Sequence, residues 1–147
     1  MTNRIQDFVN SQESANFAVA AGLAMHAKLQ FVRLGNTPTG DAEIIAKIES
    51  MGDKLKSFFM DNSQAEVPVA GYINGHFISR RIDRLVVDDA NKTVRVLDYK
   101  TDVDTNKFRE KYVAQIREYT QLLQQIYPDY KISGYILWLH NWILEAI

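Results

Sequence analysis

The feature that most constrains the fold is the dipeptide Asn74-Gly75, which separates two segments whose apolar and polar residues alternate. Alternation with a period of two is typical of β-strands, and Asn-Gly is favoured in two-residue hairpin turns because both positions take positive φ. The segments "EVPVAGYI" and "HFISRRIDRLVVDD" therefore predict a β-hairpin. A second turn at "DDANKT" leads into a predicted third strand, "VRVLDYKT".

Helical spacing of apolar residues precedes the hairpin. Residues 11–34 form an alanine-rich segment that predicts one long helix, with Ser11 or Ser14 available as its N-cap. Residues 41–59 place apolar side chains three and four residues apart and predict a second, amphipathic helix. Asp41 stands near the start of that helix, where a carboxylate suits the helix dipole.

A third helix and two more strands follow the third strand. "NKFREKYVAQIREYTQLLQQIY" has helical spacing and ends before Pro128, while "KISGYILWL" and "WILEAI" have the pattern of strands. A helical crossover of this length permits parallel pairing of the strands that it joins. The sequence thus predicts an α/β fold for residues 1–147 as one domain, with a central mixed β-sheet flanked by helices in the order α-α-β-β-β-α-β-β.

The composition excludes several classes of site. The chain has no cysteine, and therefore no disulfide, no zinc–thiolate site and no iron–sulfur cluster, so any metal must be held by oxygen or imidazole. The longest apolar runs are far shorter than the ~20 residues of a membrane span, and the N-terminal segment lacks the pattern of a secretory leader. We therefore expect a cytoplasmic protein without a membrane partner. The net charge of −1 offers no electrostatic argument for nucleic-acid binding.

Charged residues on the second and third predicted strands indicate a site. Asp98 and Lys100 are two residues apart, so their side chains leave the same face of the strand. If the turn between the strands closes with an even number of residues, for example Ala90 and Asn91, Asp83 lies opposite Asp98. Opposed residues have Cβ atoms about 5 Å apart, and two like charges are destabilising there. The two carboxylates therefore need a compensating charge.

A divalent cation supplies that charge naturally. Mg2+ and Mn2+ prefer oxygen ligands such as two carboxylates, a backbone carbonyl and water. Lys100 beside the pair would relieve negative charge and could orient or activate a water molecule. The sequence therefore predicts a hydrolytic metal site, with a phosphodiester as the expected bond.

The same residues match a known signature. Asp83 and the later "DYK" at 98–100 resemble the D-x(n)-D-x-K pattern of the PD-(D/E)xK nuclease superfamily. Gln115 and Tyr119, in "VAQIREYTQLL", resemble the Q-x(3)-Y motif of the RecB-like branch, and "GLAMHAKL" resembles the upstream helix of that branch through His26. Over most of its length the chain is similar to the C-terminal nuclease domain of AddA- and RecB-type helicase–nucleases.

The resemblance implies a restriction-endonuclease-like core and a set of site residues. It implies binding of Mg2+ or Mn2+ by His26, Asp83, Asp98 and the backbone carbonyl of Tyr99. It implies catalytic roles for Asp83, Asp98, Lys100, Gln115 and Tyr119. Among these, Lys100 would be the catalytic lysine, while Gln115 and Tyr119 would position either the DNA or that lysine.

The activity implied by the resemblance is that of a Mg2+-dependent deoxyribonuclease. It would be the exonuclease domain of an ATP-dependent helicase–nuclease that acts in DNA double-strand break repair and recombination. The implied partners are DNA, as single strands fed by a helicase, a UvrD-like helicase domain in the same parent chain, and an AddB/RecC-like subunit. The chain itself has no G-x(4)-G-K-[ST] loop, so the motor would belong to the rest of the parent protein.

Two arginines near Asp83 leave alternatives open. Arg81 stands where the family commonly has glycine, and it would either contact a phosphate or compete for the metal carboxylate. Arg81 and Arg84 are therefore candidate DNA-binding residues, and Glu66 occupies a position where the family often has glutamate. If Arg81 occupies the carboxylate, the chain is a catalytically inactive nuclease-like fold that serves as a DNA-binding or docking module. A free-standing exonuclease or structure-specific endonuclease is a third interpretation.

His26 also has a simpler interpretation. A lone histidine on an alanine-rich helix is more often a residue at the edge of the core than a metal ligand. Gly22 lies one turn earlier, and glycine inside a helix costs about 1 kcal/mol relative to alanine. A clear approach to the site at this position would explain that cost.

Overall fold

Five strands form a single sheet in which spatial order follows chain order. The computed structural model describes residues 4–103 and 105–147. The strands are β1 (Ser63–Ile73), β2 (His76–Asp88), β3 (Thr93–Lys100), β4 (Lys131–Trp138) and β5 (Ile143–Ala146). The helices are α1 (Arg4–Gln30), α2 (Ala42–Ser50), α3 (Asp53–Lys56) and α4 (Thr105–Ile126), with a 3-10 turn at Ser57–Phe59.

One pairing in the sheet is parallel, and α4 makes it possible. The chain passes through α4 between β3 and β4, which pair in parallel, whereas the other neighbouring strands are antiparallel. α4 packs so closely on β4 that a Cβ added to Gly134 would overlap the side chain of Ile116. The predicted α/β fold with a central mixed sheet flanked by helices is confirmed, and it is consistent with a restriction-endonuclease-like core.

Residues with positive φ explain the predicted hairpin turn and also a break in the second predicted helix. Asn74 and Gly75 have φ angles of 51° and 78°, so the hairpin closes as the sequence predicts. Gly52 has a φ of 96°, which a continuous α-helix does not allow. Residues 41–59 therefore form α2, α3 and the 3-10 turn, and the prediction of one helix was wrong. Asp41 does cap α2, since its Oδ1 accepts two backbone N–H groups at 3.0 and 3.1 Å.

The bounds of α1 also differ from the prediction. The helix spans Arg4–Gln30 rather than 11–34. Ser11 and Ser14 lie inside it and not at its N-cap, because the preceding residues continue the helix without a breaker. Beyond Gln30 the chain instead folds back on itself through an isolated β-bridge across residues 33–39.

Two apolar cores lie on opposite faces of the sheet. One lies between the sheet, α2, α3 and the C-terminal part of α1, and the other lies between the sheet and α4. The first part of α1 leaves this body, because the described side chains from Arg4 to Ala21 are all exposed whereas Leu29 is fully buried. No helix in the described part of the chain combines the length and the apolar character that crossing a membrane requires.

The alternation of β2 breaks at Asp83. Ile82 is buried in the core on the α4 face, whereas Arg84 bonds to the end of α1 on the opposite face. Residues two apart on a regular strand share a face, so the strand changes face between them. On the neighbouring strand, the β1–β2 ladder skips Glu66, which has a φ of 55°. Asp83 therefore stands where the two faces of the sheet exchange.

Candidate active site

Asp83 and Asp98 form a buried pair of carboxylates at the point where β2 and β3 part. The β2–β3 ladder runs to Arg84 opposite Leu97, and one further step brings Asp83 opposite Asp98, as an even number of turn residues predicts. In place of the next backbone bond, the N–H of Tyr99 donates to Asp83 Oδ2 at 2.8 Å. Asp83 is 9% exposed and Asp98 3%. The structure thus brings the two predicted carboxylates together in a position that is almost fully buried.

Burial and mutual repulsion disfavour the ionised form of Asp83 in this pair. Burial raises the pKa of Asp83 to about 8, the charge of Asp98 adds to the rise, and the hydrogen bond from the Tyr99 N–H acts in the opposite direction. Two carboxylates that share such a site do not both ionise freely. The site therefore disfavours the ionised form of Asp83, which a bound cation would favour.

Lys100 places its ammonium beside the pair. Its Nζ lies 2.8 Å from Asp98 Oδ2 and donates a hydrogen bond to Gln115 Oε1 at 2.9 Å. The contact with Asp98 is an ion pair whose direction does not suit a hydrogen bond. Asp98 Oδ2 is therefore a buried acceptor without a hydrogen-bond donor among the described residues. The charge of this oxygen is paired with the ammonium, and a carboxylate oxygen has lone pairs for a further ligand.

Gln115 and Tyr119 continue the contacts of Lys100 along α4. While Oε1 of Gln115 accepts from Lys100, its Nε2 donates to the Tyr119 hydroxyl at 2.8 Å. The two residues are one helical turn apart and so share a face of the helix. Tyr119 is buried, and burial raises the pKa of its hydroxyl. The structure thus links both predicted α4 residues to the lysine.

Tyr112 is a residue of the site that sequence reasoning missed. Lys100 Nζ lies 4.3 Å from the centroid of its ring, which is a cation–π distance. The Tyr112 hydroxyl donates to Asp102 at 2.5 Å, and burial together with this hydrogen bond raises the pKa of Tyr112 to about 12. Helical spacing alone places Tyr112 on the apolar side of α4. The sequence did contain a signal for its role: Tyr112 lies three residues before Gln115, so the two side chains share one face of α4.

His26 approaches Asp83 from α1. Its Nδ1 lies 4.0 Å from Asp83 Oδ1, and its ring stands edge-on to that of Tyr99 with the centroids 5.5 Å apart. Gly22 brings this part of α1 against the end of β3, since a Cβ there would lie only 3.0 Å from Oγ1 of Thr101. The glycine therefore permits the close approach of the helix that carries His26.

The oxygen atoms at the pair suit a hard divalent cation. The two carboxylates include the Asp98 oxygen that lacks a donor. The N–H and C=O of one strand residue point to the same side, so the Tyr99 carbonyl faces the side on which its N–H meets Asp83. Oxygens are the ligands that Mg2+ and Mn2+ prefer. His26 lies beside this oxygen set, with its Nδ1 4.0 Å from Asp83 Oδ1. Within residues 4–103 and 105–147, no three His, Asp or Glu side chains are gathered as a metal-binding group.

Arg84 does not face the site, which corrects the expectation that it contacts DNA. Its side chain is 1% exposed because the change of face at Asp83 turns it inward. The guanidinium donates to the carbonyls of Leu29, Gln30 and Val32, to Ser63 Oγ and to the Tyr99 hydroxyl. Arg84 therefore ties the end of α1 to the sheet.

Arg81 remains on the surface beside the site. Its side chain is 68% exposed, and its Nη1 lies 4.0 Å from Glu66 Oε2. The described ion pair of Arg81 is thus with Glu66, and the guanidinium does not occupy the carboxylate of Asp83. The side chain is free to meet a ligand that approaches from solvent.

Comparison with known proteins gives a partial similarity. No family model matches the chain. The AddA component of the ATP-dependent helicase/nuclease of Leuconostoc mesenteroides subsp. mesenteroides is 33% identical over 77 residues, which cover 47% of this chain and 6% of that protein. The chain spans only a small part of the length of this curated relative. Over about half of its own length, the chain is therefore similar to a segment of a helicase/nuclease subunit.

Proposed function

We propose that this chain is a metal-dependent deoxyribonuclease that hydrolyses phosphodiester bonds of DNA. The observation that carries the proposal is the buried pair of Asp83 and Asp98 with Lys100 Nζ 2.8 Å from Asp98 Oδ2. Adjacent buried carboxylates destabilise a fold, so their presence favours a functional site over a structural ion pair. The similarity to a helicase/nuclease subunit supports the same class of reaction.

The proposed cofactor is Mg2+ or Mn2+. Asp83, Asp98 and the carbonyl of Tyr99 would hold it, with His26 adjacent to them. When bound, the cation neutralises charge on the phosphate and lowers the pKa of water. An iron–sulfur cluster is not part of the proposal, because the chain offers no cysteine ligand.

Lys100 is the proposed catalytic lysine. An ammonium has three N–H donors, of which one is directed to Gln115, while the charge of the group is paired with Asp98. The ammonium therefore keeps donor capacity for a phosphate oxygen or for the attacking water. The contacts favour Gln115 and Tyr119 as positioning residues for Lys100 over a direct role in holding DNA, because their amide and hydroxyl groups are directed to the lysine and to each other.

The proposed setting is DNA double-strand break repair and recombination. In this setting a UvrD-like helicase domain of the same parent chain feeds single strands to the site, and an AddB/RecC-like subunit completes the assembly. The support is the similarity of this chain to 6% of a helicase/nuclease subunit together with the motif pattern around Asp98.

The contacts of Arg81 weigh against the alternative of an inactive docking module. That alternative required Arg81 to occupy the metal carboxylate, whereas Arg81 lies next to Glu66. No contact in the described part of the chain favours it over hydrolysis. The experiment below would favour the docking module if DNA bound without being cut.

Cleavage of end-labelled single-stranded DNA with Mg2+ or Mn2+ tests the proposal. The unmodified chain should cut, and Asp98→Asn should abolish cutting because it removes a buried charge that the cation needs. Asp129→Asn is the matched control, since Asp129 is an exposed carboxylate in the turn before β4. Equal cleavage by the unmodified chain and Asp98→Asn would refute the assigned site, and DNA binding without any cleavage would favour the docking module.

A further inference from the structure

A cleft opens directly beside Lys100 on the α4 side of the sheet. Its volume is about 410 Å3, and Lys100 and Gln115 form the wall that it shares with the candidate active site. The other charged residues of its walls are Arg80, Lys111 and Glu118. A molecule seated in this cleft would therefore touch the same lysine that lies beside the two carboxylates.

The charges in the cleft do not cancel. Arg80 Nε lies 2.7 Å from Glu118 Oε1, and Lys100 is paired with Asp98, so these four side chains compensate one another. Lys111 makes no hydrogen bond or ion pair with any residue in the described ranges, and its side chain is exposed. One positive charge thus remains without a partner at the wall, which suits an anionic ligand.

The position of Lys111 on α4 relates it to the catalytic lysine. Lys111 precedes Gln115 by four residues, so the two share a helix face and lie about 6 Å apart along the axis. Gln115 holds Lys100. Lys111 therefore lies on the wall of the cleft about one helical turn from the residue that holds Lys100.

The cleft offers more to a strand's backbone than to its bases. The Tyr112 ring is the aromatic side chain among its lining residues, and Lys100 Nζ stands 4.3 Å from the centroid of that ring. Because Lys100 occupies one face of the ring, Tyr112 is a poor platform for base stacking. Cations that meet phosphates give affinity without sequence preference.

We infer that Lys111 binds the phosphate next to the one that is cleaved, so that this cleft is a backbone subsite for the strand in the active site. The inference rests on the proposed function, since it places the strand that is cut across Lys100. It adds a residue that the motif pattern does not include. Because Lys111 acts on binding, its loss should raise KM and leave kcat nearly unchanged.

The test compares Lys111→Gln with Lys47→Gln. Lys47 is an exposed lysine in the last turn of α2, so the control removes the same charge far from the cleft. Binding of a short single-stranded oligothymidylate is measured between roughly 50 and 200 mM salt, the range in which phosphate contacts show a strong dependence. Lys111→Gln should lower the slope of log K against log salt by about 0.7 per lost contact, and Lys47→Gln should keep it.

The outcomes separate this inference from the proposed function. A chain that cuts DNA while Lys111→Gln keeps the unmodified slope and KM overturns the subsite alone. A chain that never cuts but loses slope in Lys111→Gln retains a backbone-binding cleft without the nuclease assignment. If the unmodified chain does not bind the oligonucleotide at low salt, the subsite is wrong.

Discussion

At the scale of single residues, the proposed chemistry depends on the position of the Lys100 ammonium. Three side chains contact this group. Asp98 attracts its charge, Gln115 accepts its hydrogen bond, and the ring of Tyr112 lies across from Nζ. The period of two predicted that Asp98 and Lys100 share a strand face, and an even number of turn residues predicted that Asp83 lies opposite Asp98. The role of Tyr112 could not be predicted, because an aromatic residue at helical spacing has the pattern of a core residue.

Tyr112 provides a prediction at this scale. Tyr112→Leu removes the ring beside Lys100, a contact worth about 0.5–2 kcal/mol, so kcat for DNA cleavage should fall by about twofold to thirtyfold. Tyr112→Phe keeps the ring and loses only the bond to Asp102, so it should retain most of kcat. Steady-state cleavage kinetics measure both variants, with circular dichroism to verify folding. Equal kcat values for Tyr112→Leu and the unmodified chain would contradict the positioning role.

At the scale of elements, the helix and strand types were predictable and several of their limits were not. Alternation and helical spacing are local properties, which is why β1 to β5 appear where expected. The split at Gly52 depends on a backbone angle that spacing does not reveal. The inward turn of Arg84 depends on the change of strand face at Asp83, which regular alternation does not include.

Arg84 gives the prediction for elements. Arg84→Met leaves several buried acceptors at the end of α1 without a donor, at about 1–3 kcal/mol for each unsatisfied group. The free energy of unfolding should therefore fall by about 3 kcal/mol or more, as measured by urea denaturation. Arg81→Met, on the exposed part of the same strand, should change it by less than about 0.5 kcal/mol. Similar losses in the two variants would argue against Arg84 as the tie between α1 and the sheet.

At the scale of the whole molecule, the net charge does not show where the acidic and basic side chains lie. A net charge of −1 gave no sign of nucleic acid, because it averages the carboxylates of the pair with the cations of the cleft. The sheet could be predicted as far as its hairpins and its parallel crossover. The exposure of the first part of α1 could not be predicted, since helical propensity does not say what a helix packs against.

The central claim is that Asp83 and Asp98 hold a divalent cation, and isothermal titration with Mn2+ tests it most directly. The titration uses the unmodified chain, Asp98→Asn and the surface control Asp129→Asn, without DNA, so that it does not depend on strand preference or polarity. We expect binding to the unmodified chain and to the control, and loss of binding in Asp98→Asn. No binding to the unmodified chain at millimolar Mn2+, or equal binding to all three proteins, would contradict the claim.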